Sequence, residues 1–302
     1  MEAHGTSAAW GETDLYHNEF IFTAYGSGWH LSRPAFDAWL ASEAANLGVD
    51  VRKKTRLVQE EEQSDGWLLT LENASEGARF RTEEQAKFVV DATGRRAVFA
   101  RRRGAKRQAD DHLVGIYRFY STTQNGPVNT STLVEAAEDG WWYSAFLPDG
   151  RLVTALMTDA DIARRLRLRD EVPWAQQVER TVHTRQRLAG LEAGPPILVA
   201  ASSQLLEPVA DESWLAVGDA ASSYDPLSSL GIFKALRTGI FGSYAILDRF
   251  RGEPRGLLKY RGLVGAEYRS YLEKRSEYYG LEKRFPGSIF WQRRQPAGSK
   301  LP

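Results

Sequence analysis

Residues 218–232 read GDAASSYDPLSSLGI, directly after the apolar run WLAV (214–217) and directly before an amphipathic stretch. An Asp at the end of a buried strand can direct its carboxylate out of the sheet and accept hydrogen bonds from a ligand's hydroxyls. Gly218 lets the backbone come close, Asp219 supplies the acceptor, and Asp225-Pro226 sets a rigid turn. Gly231 then opens a helix whose free N–H groups and positive dipole end face the same crevice. A flavin needs this set, because it carries a polyhydroxyl ribityl chain and a pyrimidine edge that gains negative charge on reduction. The same residues also suit a tight strand-to-helix connection with a capping Asp, and the pattern alone leaves both readings open.

Working outward, residues 231–248 place Ile232, Leu236, Ile240, Tyr244 and Leu247 along one side of a helix. A C-terminal helix places Val264, Tyr268, Tyr271 and Leu272 on one face. Upstream, Ser32 and Pro34 suit the start of a helix with Phe36, Leu40, Ala44 and Leu47 on one side and Gly48 at its end. The stretch before it, EFIFTAYGSGWHL (19–31), reads as extended chain broken by a Gly turn. VDV at 49–51 reads as a short strand. Residues 55–90 alternate as a β-meander, with Trp67, Leu69 and Leu71 on one face and turns at Gly66 and Gly77. Its last strand, FVVDATG (88–94), is apolar on both faces until Asp91, as a fully buried strand would be.

RAVFARRR (96–103) reads as a short helix closed by Gly104, its charges a solvated surface. HLVGIYRFY, TSTLVEAA, WWYSAFL and RLVTALM then read as four strands of an antiparallel sheet, punctuated by QNG, EDG and PDG turns. Helical stretches near 159–168 and 172–189 precede a return to strands in PILVAASSQL and WLAVGD.

The bulk numbers exclude several classes. With no cysteine in 302 residues, disulfides, thiolate metal sites and thiol nucleophiles are ruled out. The five His (4, 17, 30, 112, 183) are isolated, without metal-ligand spacing, and His30 reads as a structural residue. No run approaches the roughly 18 apolar residues of a membrane helix, and MEAHGTSAAW lacks the features of a signal peptide, so a cytoplasmic location is expected. Net charge is zero, with twelve Lys/Arg against five Asp/Glu in residues 251–302. Such a basic segment suits a solvated helix face, and the aromatics are not interleaved with it in the manner of a nucleic-acid-binding surface.

GDAASSYDPLSSLGIFKAL resembles the GD-type signature of the FAD-dependent monooxygenase superfamily with the p-hydroxybenzoate hydroxylase fold. It is most similar to the tryptophan halogenase-like branch, which includes flavoproteins that mature quinone cofactors. GWHLSRPAFDAWL, FVVDATGR and GWWYSAFLPDGRLVTALMTDAD match further segments in the right order, so the resemblance runs from about Trp10 to about Asp248. It implies that Gly218 and Asp219 hold the ribityl chain, and that Pro226, Gly231 and Ile232 line the isoalloxazine. It also implies that Thr93 and Gly94 lie near the diphosphate, and that Arg33 neutralises phosphate charge or holds the ribityl side. Trp142 is a candidate for lining an aromatic substrate pocket. No catalytic residue and no metal ligand is assigned.

The resemblance implies an enzyme that uses reduced FAD and O2 to form a flavin hydroperoxide and so oxygenates an electron-rich aromatic, a protein tryptophan among the candidates. The partners are the aromatic substrate or a protein carrying it, with NAD(P)H or a flavin reductase as electron donor and neither nucleic acid nor membrane. Alternatives on the same scaffold are a reductase or dehydrogenase, and a non-catalytic, partner-dependent flavoprotein fragment. WWYSAF (141–146) departs from the W-x-W-x-I-P stretch of tryptophan halogenases, which favours oxygenation over halogenation.

One departure is larger. The family's opening strand, G-x-G-x-x-G turn and helix, which cradle the pyrophosphate, have no counterpart here. In AYGSGWHLSR, Leu31 stands where a third glycine would be. The expectation is a truncated member with impaired FAD binding. Its fold class is α/β: an incomplete Rossmann-like FAD-binding domain interleaved with a mixed or antiparallel β-sheet substrate domain and a C-terminal helix. The expected segments are substrate-sheet strands at 1–31, FAD-binding parts at 32–111 and 206–250, a substrate domain at 112–205, and a C-terminal helix and tail at 251–302.

Overall fold

The computed structural model describes residues 1–22, 26–75, 78–121 and 129–295, and the chain divides into two units that it enters more than once. One unit holds Met1–Phe36, Asp110–Ser203 and Tyr271–Pro302; the other holds Asp37–Ala109 and Gln204–Ser270.

In chain order, β1 (Glu2–Ala3), β2 (Gly5–Ala9), β3 (Tyr16–Glu19) and β4 (Gly28–Trp29) lead into helix α1 (Arg33–Asn46). The meander β5 (Thr55–Gln63), β6 (Gly66–Ser75) and β7 (Ala78–Ala86) follows, then β8 (Val89–Asp91), α2 (Val98–Arg102) and β9 (Lys106–Ala109). Next come β10 (Leu113–Tyr120), β11 (Thr132–Ala137), β12 (Gly140–Phe146) and β13 (Leu152–Asp159), and three short helices, α3 (Ala160–Arg165), α4 (Glu171–Glu179) and α5 (His183–Leu188). The chain continues through β14 (Ile197–Ala200), β15 (Gln204–Glu207), β16 (Ala210–Asp211), β17 (Trp214–Ala216) and β18 (Ser222–Ser223). It closes with α6 (Gly231–Phe250), α7 (Arg255–Leu281) and α8 (Ile289–Gln292).

The first unit is built on a seven-stranded sheet in the order β14-β10-β13-β12-β11-β2-β3. The four strands expected between 112 and 158 are antiparallel to one another, but β2 joins β11 in parallel, so the sheet is mixed. The helical stretch expected at 172–189 is two helices. The buried carboxylate of Glu135 on β11 accepts Val182 N and Thr184 N, each at 2.7 Å, and so starts α5 afresh. A second anchor lies after α7, where buried Asp159 binds Arg294 at 2.5 Å and Arg293 at 2.8 Å.

The second unit contains the β5-β6-β7 meander and two three-stranded sheets, β16-β17-β8 and β18-β15-β9. Its core gathers Trp67, Phe99, Trp214, Leu215, Tyr260 and Val264. The Tyr260 hydroxyl donates to Ala216 O at 2.7 Å, which ties α7 to β17. The charged run after the D-A-T-G turn lies at the surface as expected, with Arg102 paired to Glu60 at 2.8 Å and Arg103 to Glu62 at 2.5 Å.

Several expectations are corrected. No strand forms at 49–51, and Phe20–Phe22 is a 3-10 turn, not extended chain. The turns expected at Gly77 and at QNG (124–126), and Thr23–Tyr25, lie outside the described residues. α1 buries none of its residues, and Leu47 is exposed. β8 is not enclosed on both faces: among the described residues it ends its sheet, and Val90 is 45% exposed. The helix α6 is inverted relative to its sequence pattern. Its buried residues are Lys234, Thr238, Gly242 and Ala245, whereas Leu236, Ile240, Tyr244 and Leu247 are exposed.

Candidate functional site

β8 and β17 run parallel, with Val90 beside Leu215 and Asp91 beside Ala216, and Val217 N donates to Asp91 O at 3.0 Å. Both strands therefore end at the same edge, which is where open α/β sheets bind ligands. The D-A-T-G turn leaves one strand end and the G-D turn leaves the other.

Asp91 organises the first turn from inside. One carboxylate oxygen accepts Thr93 N at 2.9 Å and the Thr93 hydroxyl at 2.6 Å; the other accepts Ala100 N at 2.9 Å. Thr93 Oγ1 in turn accepts Val98 N at 2.7 Å, so its side chain closes the turn and starts α2. Gly94 follows at φ +66°, a conformation that favours glycine.

In the second turn Gly218 adopts φ +57° and donates its N–H to Thr238 Oγ1 on α6 at 2.8 Å. A Cβ there would lie 3.4 Å from that of Ala235, so strand end and helix are in close approach. Asp219 comes next, its side chain 41% exposed. Its Oδ1 accepts from Lys234 Nζ at 2.9 Å and its Oδ2 lies 3.9 Å from Arg95 Nε. Lys234 is 3% exposed, also donates to Ser222 O, and lies 4.6 Å from the centre of the Tyr224 ring. Burial holds the Lys234 ammonium below the usual lysine range, opposed by the Asp219 charge. Burial and the Glu267 charge push the Tyr224 hydroxyl up to about 12.

Asp225 accepts Leu227 N at 2.9 Å and caps a 3-10 turn that begins at Pro226. α6 then starts at Gly231 with no side-chain cap, and a Cβ on Gly231 would meet nothing within 4 Å. Ile232 behind it is half-buried. The Lys234–Asp219 pair thus sets the first turn of a 20-residue helix against a half-exposed carboxylate. Such a constellation offers an acceptor for hydroxyls beside uncapped helix N–H groups.

The two strand ends bring together Thr93, Gly94, Gly218 and Asp219, and the Lys234 pair adds the start of α6. Arg33 opens α1 in the other unit and is exposed. Trp142, expected to line a substrate pocket, is 1% exposed and enclosed with Ile116, Leu156 and Trp174, so it offers a ligand no surface.

Lys234 and Arg95 were not singled out from sequence. The spacing of Ile232, Leu236 and Ile240 directs Lys234 to solvent on a helical wheel, and only the inversion of α6 brings it inside. A lysine one turn into the helix after an isolated G-D step was the available signal.

Parallel strand ends, glycine turns and a carboxylate beside a helix start define an α/β fold of the FAD-dependent oxidoreductase type, and the comparisons with known proteins agree. The tryptophan halogenase family pattern matches residues 12–299, and the chain belongs to that family. A protein of Marinomonas mediterranea named as an FAD-dependent oxidoreductase, LodB, is 29% identical over 293 residues, covering 96% of this chain and 78% of its own length. The crystal structure of CmlS, a flavin-dependent halogenase, superposes with a TM-score of 0.87 at 21% identity, covering 99% of this chain and 56% of CmlS. That of QhpG, a peptidyl tryptophan dihydroxylase, superposes at 0.75 with 23% identity, covering 100% of this chain and 66% of QhpG. The chain thus spans little more than half of one solved relative and about two thirds of another. By this resemblance it is an enzyme. No helix among the described residues is long and apolar enough to cross a membrane.

Proposed function

We propose that this chain is the FAD-dependent part of a monooxygenase that oxygenates an electron-rich aromatic carried on a protein, a tryptophan side chain in the first instance. The observation that carries the reading is the half-exposed Asp219 carboxylate, held at the strand end by buried Lys234 beside the uncapped start of α6. The likeness to QhpG, a peptidyl tryptophan dihydroxylase, supports the substrate class, and the likeness to LodB the FAD-dependent oxidoreductase class.

The residues present fit a flavin's ribityl and ring. Asp219 accepts hydroxyls, Gly218 keeps the backbone low, and Pro226, Gly231 and Ile232 provide a wall and N–H groups. Thr93 and Gly94 border the same edge, and Arg33 is retained as a candidate for the phosphate side. Bound FAD supplies the redox chemistry with dioxygen. The chain's own part is to hold the ribityl, place a helix dipole at the pyrimidine edge and exclude water. Electrons come from NAD(P)H or a flavin reductase. Because no G-x-G-x-x-G loop occurs in these residues, FAD binding is weakened; a stoichiometric yellow protein on purification contradicts that part.

The test supplies the chain with FAD, NADH, a flavin reductase and a tryptophan-containing peptide, and follows the peptide by mass spectrometry. Incorporation of oxygen into the peptide, lost in Asp219→Asn, is expected. Reduced-flavin turnover with release of hydrogen peroxide and the peptide unchanged favours the oxidase or reductase alternative instead.

A further inference from the structure

The charged run RRRGAKR (101–107) divides in two. Arg102 and Arg103 are neutralised by Glu60 and Glu62 of the meander. Arg101, Lys106 and Arg107 form no ion pair among the described residues. Glu207 is the register partner of Lys106 across β15 and β9, and it forms no ion pair with Lys106 either. Gly104 brings the three cations together. It takes φ +89° and donates its N–H to Arg101 O at 3.1 Å, and Ala105 N donates to Ala100 O at 3.1 Å, so the chain reverses as α2 ends. Arg101 in the last turn of α2 and Lys106 and Arg107 at the start of β9 therefore line one hollow of about 760 Å³, with buried Ala105 and Gln204 behind them.

Like charges gathered in this way repel one another. Burial, and then the Arg101 and Arg95 charges, hold the Arg107 guanidinium below the usual arginine range. A dianion seated among the three removes the repulsion and gains charge-assisted hydrogen bonds, and the forked donors of two guanidinium groups match phosphate oxygens. A single carboxylate would leave most of the charge uncompensated. The hollow also falls within the range of roughly 300–1,000 Å³ that small-molecule sites occupy. Arg95 separates it from the G-D turn. The Arg95 side chain reaches towards Asp219, with Nε 3.9 Å from Oδ2, whereas its backbone carbonyl accepts from Arg107 Nη1 and, at 3.2 Å, from Gln204 Nε2.

We propose that Arg101, Lys106 and Arg107 form a binding site for a phosphate dianion, carried free or on a small molecule such as a nucleotide, for which the hollow leaves room. The site lies behind Arg95, apart from the turn assigned to the flavin. It rests on unpaired charge and on the reversal at Gly104, and it stands whichever way the flavin assignment falls.

The probes are inorganic phosphate and adenosine 5′-monophosphate, each titrated calorimetrically into the purified 302-residue protein without flavin, at constant ionic strength and about pH 8, where both are dianions. Saturable one-to-one binding is expected, at least tenfold weaker in Lys106→Gln/Arg107→Gln and within twofold of the parent in Asp219→Asn. The double variant should keep the circular dichroism of the parent. Arg101→Gln, which leaves the Arg107 bond to Arg95 O in place, should weaken binding at least threefold and gives a second readout should the double variant misfold. Adenosine 5′-monophosphate binding tenfold tighter than phosphate assigns the dianion to a nucleotide, and equal binding assigns it to the free ion; both support the site. Absence of saturation by either probe overturns the proposal, as does binding that these variants leave intact. Binding lost in Asp219→Asn but kept in the double variant places the phosphate at the G-D turn and likewise overturns it.

Discussion

α6 and α7 carry similar sequence patterns and meet opposite fates. In α7, Leu257, Tyr260, Val264, Tyr268 and Tyr271 recur at helical spacing and are all buried. In α6, Leu236, Ile240, Tyr244 and Leu247 recur in the same way and are all exposed. Periodicity establishes that a helix has an apolar face, but not which body covers it. The inward face of α6 is small and polar because it serves the G-D turn: Gly242 admits Leu215 and Val217, Thr238 accepts from Gly218, and Lys234 binds Asp219.

The contrast is most easily broken by a charge. Val264→Asp, which places an unpaired carboxylate in the core, is expected to cost about 4 kcal/mol in denaturant unfolding. The matching Ile240→Asp on α6 should stay within about 0.5 kcal/mol of the parent. Equal losses would show that both stripes are covered. A smaller effect tests the inward face of α6. Gly242→Val has to push aside Leu215 and Val217 and is expected to cost about 2 kcal/mol by the same measurement.

Removing the site's carboxylate comes next. Asp219→Ala leaves the buried Lys234 ammonium with Ser222 O and the Tyr224 ring. Breaking a buried pair costs several kcal/mol, but the Asp219 side chain is half-exposed and screened, so about 1–2 kcal/mol is expected. Lys234→Met in the same chain should restore part of that loss; a double variant no better than Asp219→Ala would show that the pair is not coupled.

Alkaline pH sharpens the comparison with opposite signs. Burial, with the Glu267 charge, raises the Tyr260 hydroxyl on α7 well above the usual tyrosine range. Above about pH 10 the unfolded chain therefore loses this proton while the folded chain keeps it, and stability falls as pH rises. Lys234 on α6 is lowered by burial, so between its folded value and about 10.4 the unfolded chain binds more protons and stability rises with pH. Tyr260→Phe should lessen the alkaline loss seen in urea midpoints, and Lys234→Met should deepen it. A parallel shift of both curves would contradict the assignment.

Much of this architecture was legible in the residues. The meander, the four strands from 112 to 158, the G-D turn, the turn that begins at Pro226 and the helix α1 follow from local turn chemistry and alternation. What escaped depends on distant partners. Glu135 divides a helical stretch from a strand about 47 residues away, β8 lies at an edge that its apolar sequence cannot reveal, and Trp142 is enclosed by helices packed on its sheet. Lys234 escaped for the same reason: its inward direction is set by where α6 docks, not by its neighbours in the chain.

In the proposed function, the turn after β17 holds a flavin's alcohol chain against the start of α6. Titrating FAD with the purified chain and with Asp219→Asn, followed by flavin fluorescence, tests this directly. Weak but saturable quenching by the parent and at least tenfold weaker binding by the variant are expected. Superimposable curves for the two proteins, or no saturation by the parent, would contradict it.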